Sequence, residues 1–213
     1  MESSDQIVFI VDDDPRIRES ISELLASFDL HAVSFTTAAE YMAFPKPELP
    51  ACLVLDVDLP DINGLDLQSA MVQDDHPQIV FITGRGDIPS SVRAIKAGAV
   101  DFLTKPFQSA DLMRAIHAAL AQNRAARQKS AEMAELHQRL SSLTARERQV
   151  LPLVVSGLLN KQAAAELGIS EITLQIHRGK IMQKMAADSL AELVRMAGTL
   201  GITSDHHRRR KDR

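Results

Sequence analysis

Cys52-Leu53-Val54-Leu55-Asp56 is a short apolar run that ends on a carboxylate. Pro50 precedes it and Pro60 follows. That length and those bounds predict a strand buried on both faces of a parallel sheet. Such sheets bind ligands just beyond the carboxyl ends of their strands, so Asp56 stands where chemistry is expected. Other runs end in the same manner. Ile7 to Val11 leads into Asp12-Asp13-Asp14, Ile79 to Ile82 ends on Thr83, and Val100 to Leu103 is followed by Thr104-Lys105-Pro106. The strand tips therefore supply carboxylates, a hydroxyl and an ammonium group.

Between these runs lie helical patterns. Strands are predicted at about 6–12, 30–35, 51–57, 78–83 and 100–103. Helices are predicted at about 14–28, 36–43, 64–73, 87–97 and from 109 onward. Five β–α units imply an α/β doubly wound, five-stranded parallel sheet. The predicted organisation is an α/β domain over 1–122, a helical linker over 123–140 and an all-α four-helix domain over 141–200. Residues 201–213 form a basic tail, expected to be disordered. From Ser109 to Leu140 there is neither Pro nor Gly, which favours one long helix. The polar stretch Gln122 to Ser130 leaves a flexible linker as the rival.

Composition narrows the function classes. The 213 residues are 45% hydrophobic and 24% charged, ordinary for a globular protein. No apolar run approaches the length of a membrane span, and the N-terminus lacks a signal peptide's pattern. No membrane partner is expected. The single cysteine, Cys52, reads as a small core side chain, and the expected location is cytoplasmic. Residues 1–124 carry 9 Lys+Arg against 19 Asp+Glu, and residues 125–213 carry 15 against 9. An acidic half joined to a basic half suggests a metal- or phosphate-handling domain beside a polyanion-binding one. Two solvated surfaces of opposite sign would read the same way.

Beyond residue 141 the grammar is short helices. Thr144 to Glu147 and Ser189 to Glu192 are capping boxes. Pro152 should kink the helix that contains it. Asn160 and Ser170 are candidate caps, and Gly168-Ile169-Ser170 is the tight turn of a helix-turn-helix.

Carboxylates near 12–13 and at 56 would make a hard, oxygen-rich site suited to Mg²⁺. A carboxylate can attack a phosphoryl group and form an acyl phosphate. Lys105 would then neutralise phosphoryl charge, and Thr83 would donate a hydrogen bond. Asp14 is read instead as favourable charge at a helix start.

Val11-Asp12-Asp13-Asp14, Asp56 with Pro60 and Gly64, Thr83-Gly84, and Asp101-Phe102-Leu103-Thr104-Lys105-Pro106-Phe107 together resemble the receiver domain of bacterial two-component response regulators. The resemblance spans residues 6 to 122. It implies a flavodoxin-like fold and a phosphoacceptor at Asp56. It implies a Mg²⁺ site of Asp13, Asp56 and the backbone carbonyl of Asp58, with Asp12 acting through water. Thr83 and Phe102 would carry the signal, and a cis peptide before Pro106 would aim Lys105. Asp58 and Arg85 occupy positions that vary in this family, and we expect them to pair across the mouth of the site. Asp56-Val57-Asp58 also resembles haloacid-dehalogenase-type phosphatases, but those place the motif on their first strand. A constitutive DNA-binding protein with a degenerate receiver is a further alternative, and the complete acidic set opposes it.

Leu143 to Leu151, Gly157 to Ala164 and Thr173 to Arg178 resemble the LuxR-type four-helix DNA-binding domain, and Ile181 to Ala186 and Ser189 to Val194 resemble its FixJ-like branch. The whole chain is similar to the styrene-catabolism regulator subgroup. On the third helix of this domain, Leu174, Ile181 and Met185 fall on one face and should be core. Ile172, Gln175, Ile176, Gly179 and Gln183 fall opposite. Ile176 would touch a thymine methyl, Gln175 would read adenine, and Gly179 would allow close approach. Lysine is common in relatives where this chain has Gln175. Lys161, Thr173, Arg178, Lys180 and Lys184 are candidate phosphate contacts. His177 is expected to be a structural hydrogen-bonder. The implied function is a phosphorylation-dependent transcription regulator, with only weak self-phosphorylation and autodephosphorylation as chemistry. A sensor histidine kinase, promoter DNA, RNA polymerase and, on phosphorylation, a second copy of the chain are the implied partners.

Overall fold

The computed structural model describes residues 5–71, 76–84 and 88–202. Beyond residue 202, the basic tail lies outside the described residues. The strands are β1 (Ile7–Val11), β2 (His31–Phe35), β3 (Ala51–Asp56), β4 (Gln78–Thr83) and β5 (Asp101–Thr104). They form one parallel sheet in the order β2-β1-β3-β4-β5.

Every residue of β1 and β3 is buried, because these strands are central and covered on both faces. Alternate side chains serve opposite layers. Val8, Ile10, Cys52, Val54, Val80 and Ile82 pack with Ile21 and Leu25 of α1 (Pro15–Ala26) and with Leu112, Ile116 and Leu120 of α5 (Ser109–Ser141). Phe9, Leu53, Leu55 and Phe81 pack with α2 (Ala38–Ala43), α3 (Gly64–Ala70) and α4 (Ile88–Lys96) through Tyr41, Leu65, Leu67 and Ala94. Cys52 is fully buried, and burial pushes its thiol well above the ordinary range. Strand order reverses between β1 and β3, which opens a crevice at their carboxyl ends.

The helix expected from Ser109 is a single 33-residue element, so the linker is helical throughout. The boundary between two compact units falls within it, between Lys129 and Ser130. At about 1.5 Å per residue it spans roughly 50 Å. In the first unit, Asn123 is buried on this helix. Its Oδ1 accepts from the Ala51 amide at 2.9 Å and its Nδ2 donates to the His76 carbonyl at 2.9 Å.

The second unit contains α6 (Ala145–Val155), α7 (Asn160–Leu167), α8 (Glu171–Met185) and α9 (Leu190–Thr199). Val150, Leu151, Val154, Leu174, Ile181, Met185 and Leu193 form its core. The capping box at Thr144 is complete: Thr144 Oγ1 accepts from the Glu147 amide, and Glu147 Oε2 accepts from the Thr144 amide. Ser170 caps α8 as expected. Helix α6 carries Pro152 inside it, as expected of the sequence. Two local expectations need correction. Asn160 is the first residue of α7, not its cap; Leu159 holds the cap position, and its amide donates to Gln162 Oε1 at 3.0 Å. At Ser189 the box is shifted, because Glu192 Oε2 accepts from the Asp188 amide.

Candidate functional site

The end of β1 delivers Asp12 and Asp13, and Asp56 is the last residue of β3. These neighbouring strands bring the three carboxylates together, each offering one oxygen within 4.8 Å of the others. Asp12 is fully buried, Asp56 nearly so, and Asp13 faces solvent. Asp14 turns away to cap α1, accepting from the Arg16 amide at 2.9 Å.

Lys105 follows β5, and its amide donates to the Thr83 carbonyl at 2.7 Å, which ties it to the end of β4. The Lys105–Pro106 bond is cis. Lys105 Nζ lies 2.6 Å from Asp12 Oδ2 and 2.6 Å from Asp56 Oδ2. Burial pushes the Asp12 carboxyl up, and the hydrogen bonds from Lys105 and the Asp14 amide offset only part of that rise. Burial also favours the neutral amine of Lys105, but its bonds to Asp12 and Asp56 outweigh this and hold its pKa above the ordinary value. One ammonium group thus keeps two nearly buried carboxylates together.

Thr83 is fully buried at the end of β4. Its Oγ1 donates to Asp58 Oδ2 at 3.3 Å, and the Asp58 amide donates to Asp56 Oδ1 at 3.0 Å. Arg85, the partner expected for Asp58, lies outside the described residues. Phe102, on β5, is half-buried with its ring 6.1 Å from that of Phe81. Gly64 is required at the start of α3. A Cβ there would collide with the backbone oxygen of Asp56 and stand 3.1 Å from Val57 Cα.

Two residues of this site escaped the reading of the sequence. Arg18 Nη1 donates to the carbonyls of Asp12 at 2.6 Å and Asp13 at 3.0 Å, fixing the acidic turn. Asp61 accepts from the amides of Ala38 and Ala39, pinning the loop after Asp56 to the start of α2. An arginine one turn into a helix that begins after the acidic run was the available signal for Arg18. Asp61 offered none, because its partners lie more than twenty residues away.

In the second unit, α8 buries Leu174, Ile181 and Met185 and exposes Ile172, Gln175, Ile176, Gly179, Lys180 and Gln183. Lys161 is exposed on α7, and Thr173 is half-buried in the first turn of α8. Arg178 Nη1 donates to Asn160 Oδ1 at 3.1 Å. Lys184 points elsewhere. Its Nζ lies 2.7 Å from Glu147 Oε2 and donates to the Ser142 carbonyl at 3.1 Å. That bond and the Thr144 amide hold the Glu147 carboxyl down to about 2. His177 Nδ1 is buried without a hydrogen-bond partner among the described residues, contrary to expectation.

Comparison with known proteins assigns each unit to a family. Residues 8–117 match the response regulator receiver domain, and residues 141–197 match the bacterial regulatory proteins of the luxR family. Nodulation protein W of Bradyrhizobium diazoefficiens is 47% identical over 205 residues, spanning 96% of this chain and 90% of that protein. Response regulator protein TodT of Pseudomonas putida is 43% identical over 195 residues, 91% of this chain and 86% of that one. The solved low-resolution structure of response regulator StyR superposes with a TM-score of 0.83 at 45% identity, covering 91% of this chain and 98% of that one. The phosphatase reading is set aside, since the Asp-x-Asp of this chain ends the third strand of a receiver that precedes a DNA-binding domain. Among the described residues no helix is long and apolar enough to cross a membrane. This chain belongs to the bacterial response regulators that join a receiver domain to a LuxR-type DNA-binding domain.

Proposed function

We propose that Asp56 accepts a phosphoryl group from a sensor histidine kinase and that this event governs how α8 engages promoter DNA. The observation that carries the reading is the placement of Lys105 Nζ at 2.6 Å from both Asp12 and Asp56. A carboxylate oxygen of Asp56 attacks phosphorus, the bond from phosphorus to the kinase's imidazole nitrogen breaks, and an acyl phosphate forms. Lys105 stands ready to bind the phosphoryl oxygens. Thr83 donates its hydroxyl to the same group, and Phe102 turns inward as the threonine moves.

The donor set fits Mg²⁺: hard carboxylate oxygens, two of three nearly buried, gathered within 4.8 Å. Both oxygens of Asp12 are already engaged, Oδ1 by the Asp14 amide and Oδ2 by Lys105. Asp56 is engaged in the same way, Oδ1 by the Asp58 amide and Oδ2 by Lys105, so the division of roles follows the receiver family: Asp13, Asp56 and the Asp58 carbonyl as direct ligands, with Asp12 acting through water. When bound, the cation would neutralise charge on the phosphoryl oxygens. Slow hydrolysis of the acyl phosphate resets the protein, so its chemistry is self-directed.

In the output domain, Ile176 and Gln175 face base edges and Gly179 lets the helix approach them. Lys161, Thr173, Arg178 and Lys180 position the helix on phosphates. Lys184 is committed to Glu147 and acts on DNA only by holding α8 against α6. The phosphorylated chain dimerises, reads two half-sites about one helical turn apart and presents itself to RNA polymerase. The test is DNA binding by the wild type and Asp56→Asn, each with and without Mg²⁺ and a small phosphodonor. Only the wild type with both additions should gain affinity. Equal affinity in every condition would remove the switch.

A further inference from the structure

We infer that the Asp58 side chain is the latch that holds the switch at rest, an inference that depends on reading Asp56 as phosphoacceptor and Thr83 as switch. Asp58 touches both. Its amide donates to Asp56 Oδ1 at 3.0 Å, and its carboxylate Oδ2 accepts the Thr83 hydroxyl at 3.3 Å. A hydroxyl has one hydrogen to donate. While that hydrogen is given to Asp58, it is not given to a phosphoryl oxygen. The turn carrying Asp58 is well fixed: Asp58 bridges to Asn63, the Gly64 amide donates to the Val57 carbonyl at 2.8 Å, and Asp61 is tied to the start of α2. The carboxylate is therefore presented to Thr83 by a rigid loop.

Charge acts in the same direction as geometry. A phosphoryl group on Asp56 brings roughly −1.5 to −2 charges to a residue whose Oδ1 already bonds the Asp58 amide. The Asp58 carboxylate repels that group and competes with it for Thr83. Lys105 compensates Asp12 and Asp56, and within the described residues it makes no ion pair with Asp58. Asp58 thus biases the equilibrium toward the resting state and raises the threshold for activation. Asparagine at this position would keep an acceptor oxygen and lose the charge. Alanine would lose both.

The test titrates the full chain with beryllofluoride and Mg²⁺, reading the Thr83 methyl resonance by NMR in the wild type, Asp58→Asn and Asp58→Ala. In Asp58→Ala the resonance should start displaced toward its beryllofluoride-bound position, and the titration midpoint should fall about three- to tenfold. Asp58→Asn, which preserves the shape of the loop, should lie between. A general disturbance of the loop would not give that order, and methyl resonances remote from the site should stay in place. Identical midpoints and resting resonances in all three proteins would overturn the latch. No response to beryllofluoride in the wild type would instead overturn the phosphoacceptor reading on which the latch depends.

Discussion

Gly64 leaves no room for a side chain against the backbone oxygen of Asp56. The obstruction is main chain, and it belongs to the proposed phosphoacceptor itself, so relief requires movement of the strand end or of α3. Gly64→Ala should destabilise the receiver by about 1–3 kcal/mol. It should slow labelling of Asp56 by a small phosphodonor by about tenfold or more, because a small misplacement of a reacting group is costly. Thermal unfolding and labelling rate, measured on the same preparation, check both.

Glu147 and Lys184 give the DNA-binding unit a defined acid sensitivity. The Glu147 carboxyl is held down to about 2, chiefly by the bond to Lys184 and then by the Thr144 amide. Its folded-state pKa lies below the unfolded value of 4.5, so its contribution is fully present above pH 4.5 and is lost as pH falls from there toward 2. The Lys184 side chain is 32% exposed, so solvent screening reduces the contribution to about 1–2 kcal/mol. Unfolding free energies of wild type and Glu147→Gln from denaturant titration should differ by that amount at neutral pH and converge near pH 2.

Gly179 has open space where a side chain would stand. Gly179→Ala should therefore stabilise α8, by up to about 1 kcal/mol, since alanine is the better helix former. If α8 enters the major groove, the same methyl should weaken DNA binding, by about tenfold. A stability gain with unchanged DNA affinity would place this face of α8 away from the duplex.

Asn123 fastens α5 to the receiver at the amino end of β3, the end of that strand opposite Asp56. Asn123→Ala would leave the Ala51 amide and the His76 carbonyl without their present partner. The expected cost is about 2–4 kcal/mol, since unsatisfied buried groups carry their full desolvation penalty. Hydrogen exchange should show lost protection at the Ala51 amide.

Long apolar runs and their endings made the sheet legible, because burial on both faces leaves few residue types possible in β1 and β3. The acidic residues were legible for the same reason, standing at the tips of those runs. Helical periodicity likewise separated Leu174, Ile181 and Met185 from Ile172 and Ile176. What stayed hidden, outside the acidic set itself, were contacts made by a chain returning from elsewhere. Lys184 sits at a spacing equally consistent with facing phosphate, and its attachment to Glu147 depends on how α6 packs against α8. Asp58 read as a partner for Arg85, whereas its described partner Thr83 comes from the next strand of the sheet. Asn160 has the chemistry of a helix cap, but Gln162 reaches back to the Leu159 amide and leaves Asn160 to accept from Arg178.

The thiol of Cys52 is sealed inside the sheet, and it is the only one in the chain. Its raised pKa keeps it in the unreactive protonated form at neutral pH. A cysteine engineered at an exposed position, such as Ile172 on α8, would be the sole sulfur open to a maleimide dye or spin label. With no tryptophan in the sequence, an indole placed beside it would likewise report without background. Distances across the molecule can thus be followed spectroscopically without first stripping out native residues.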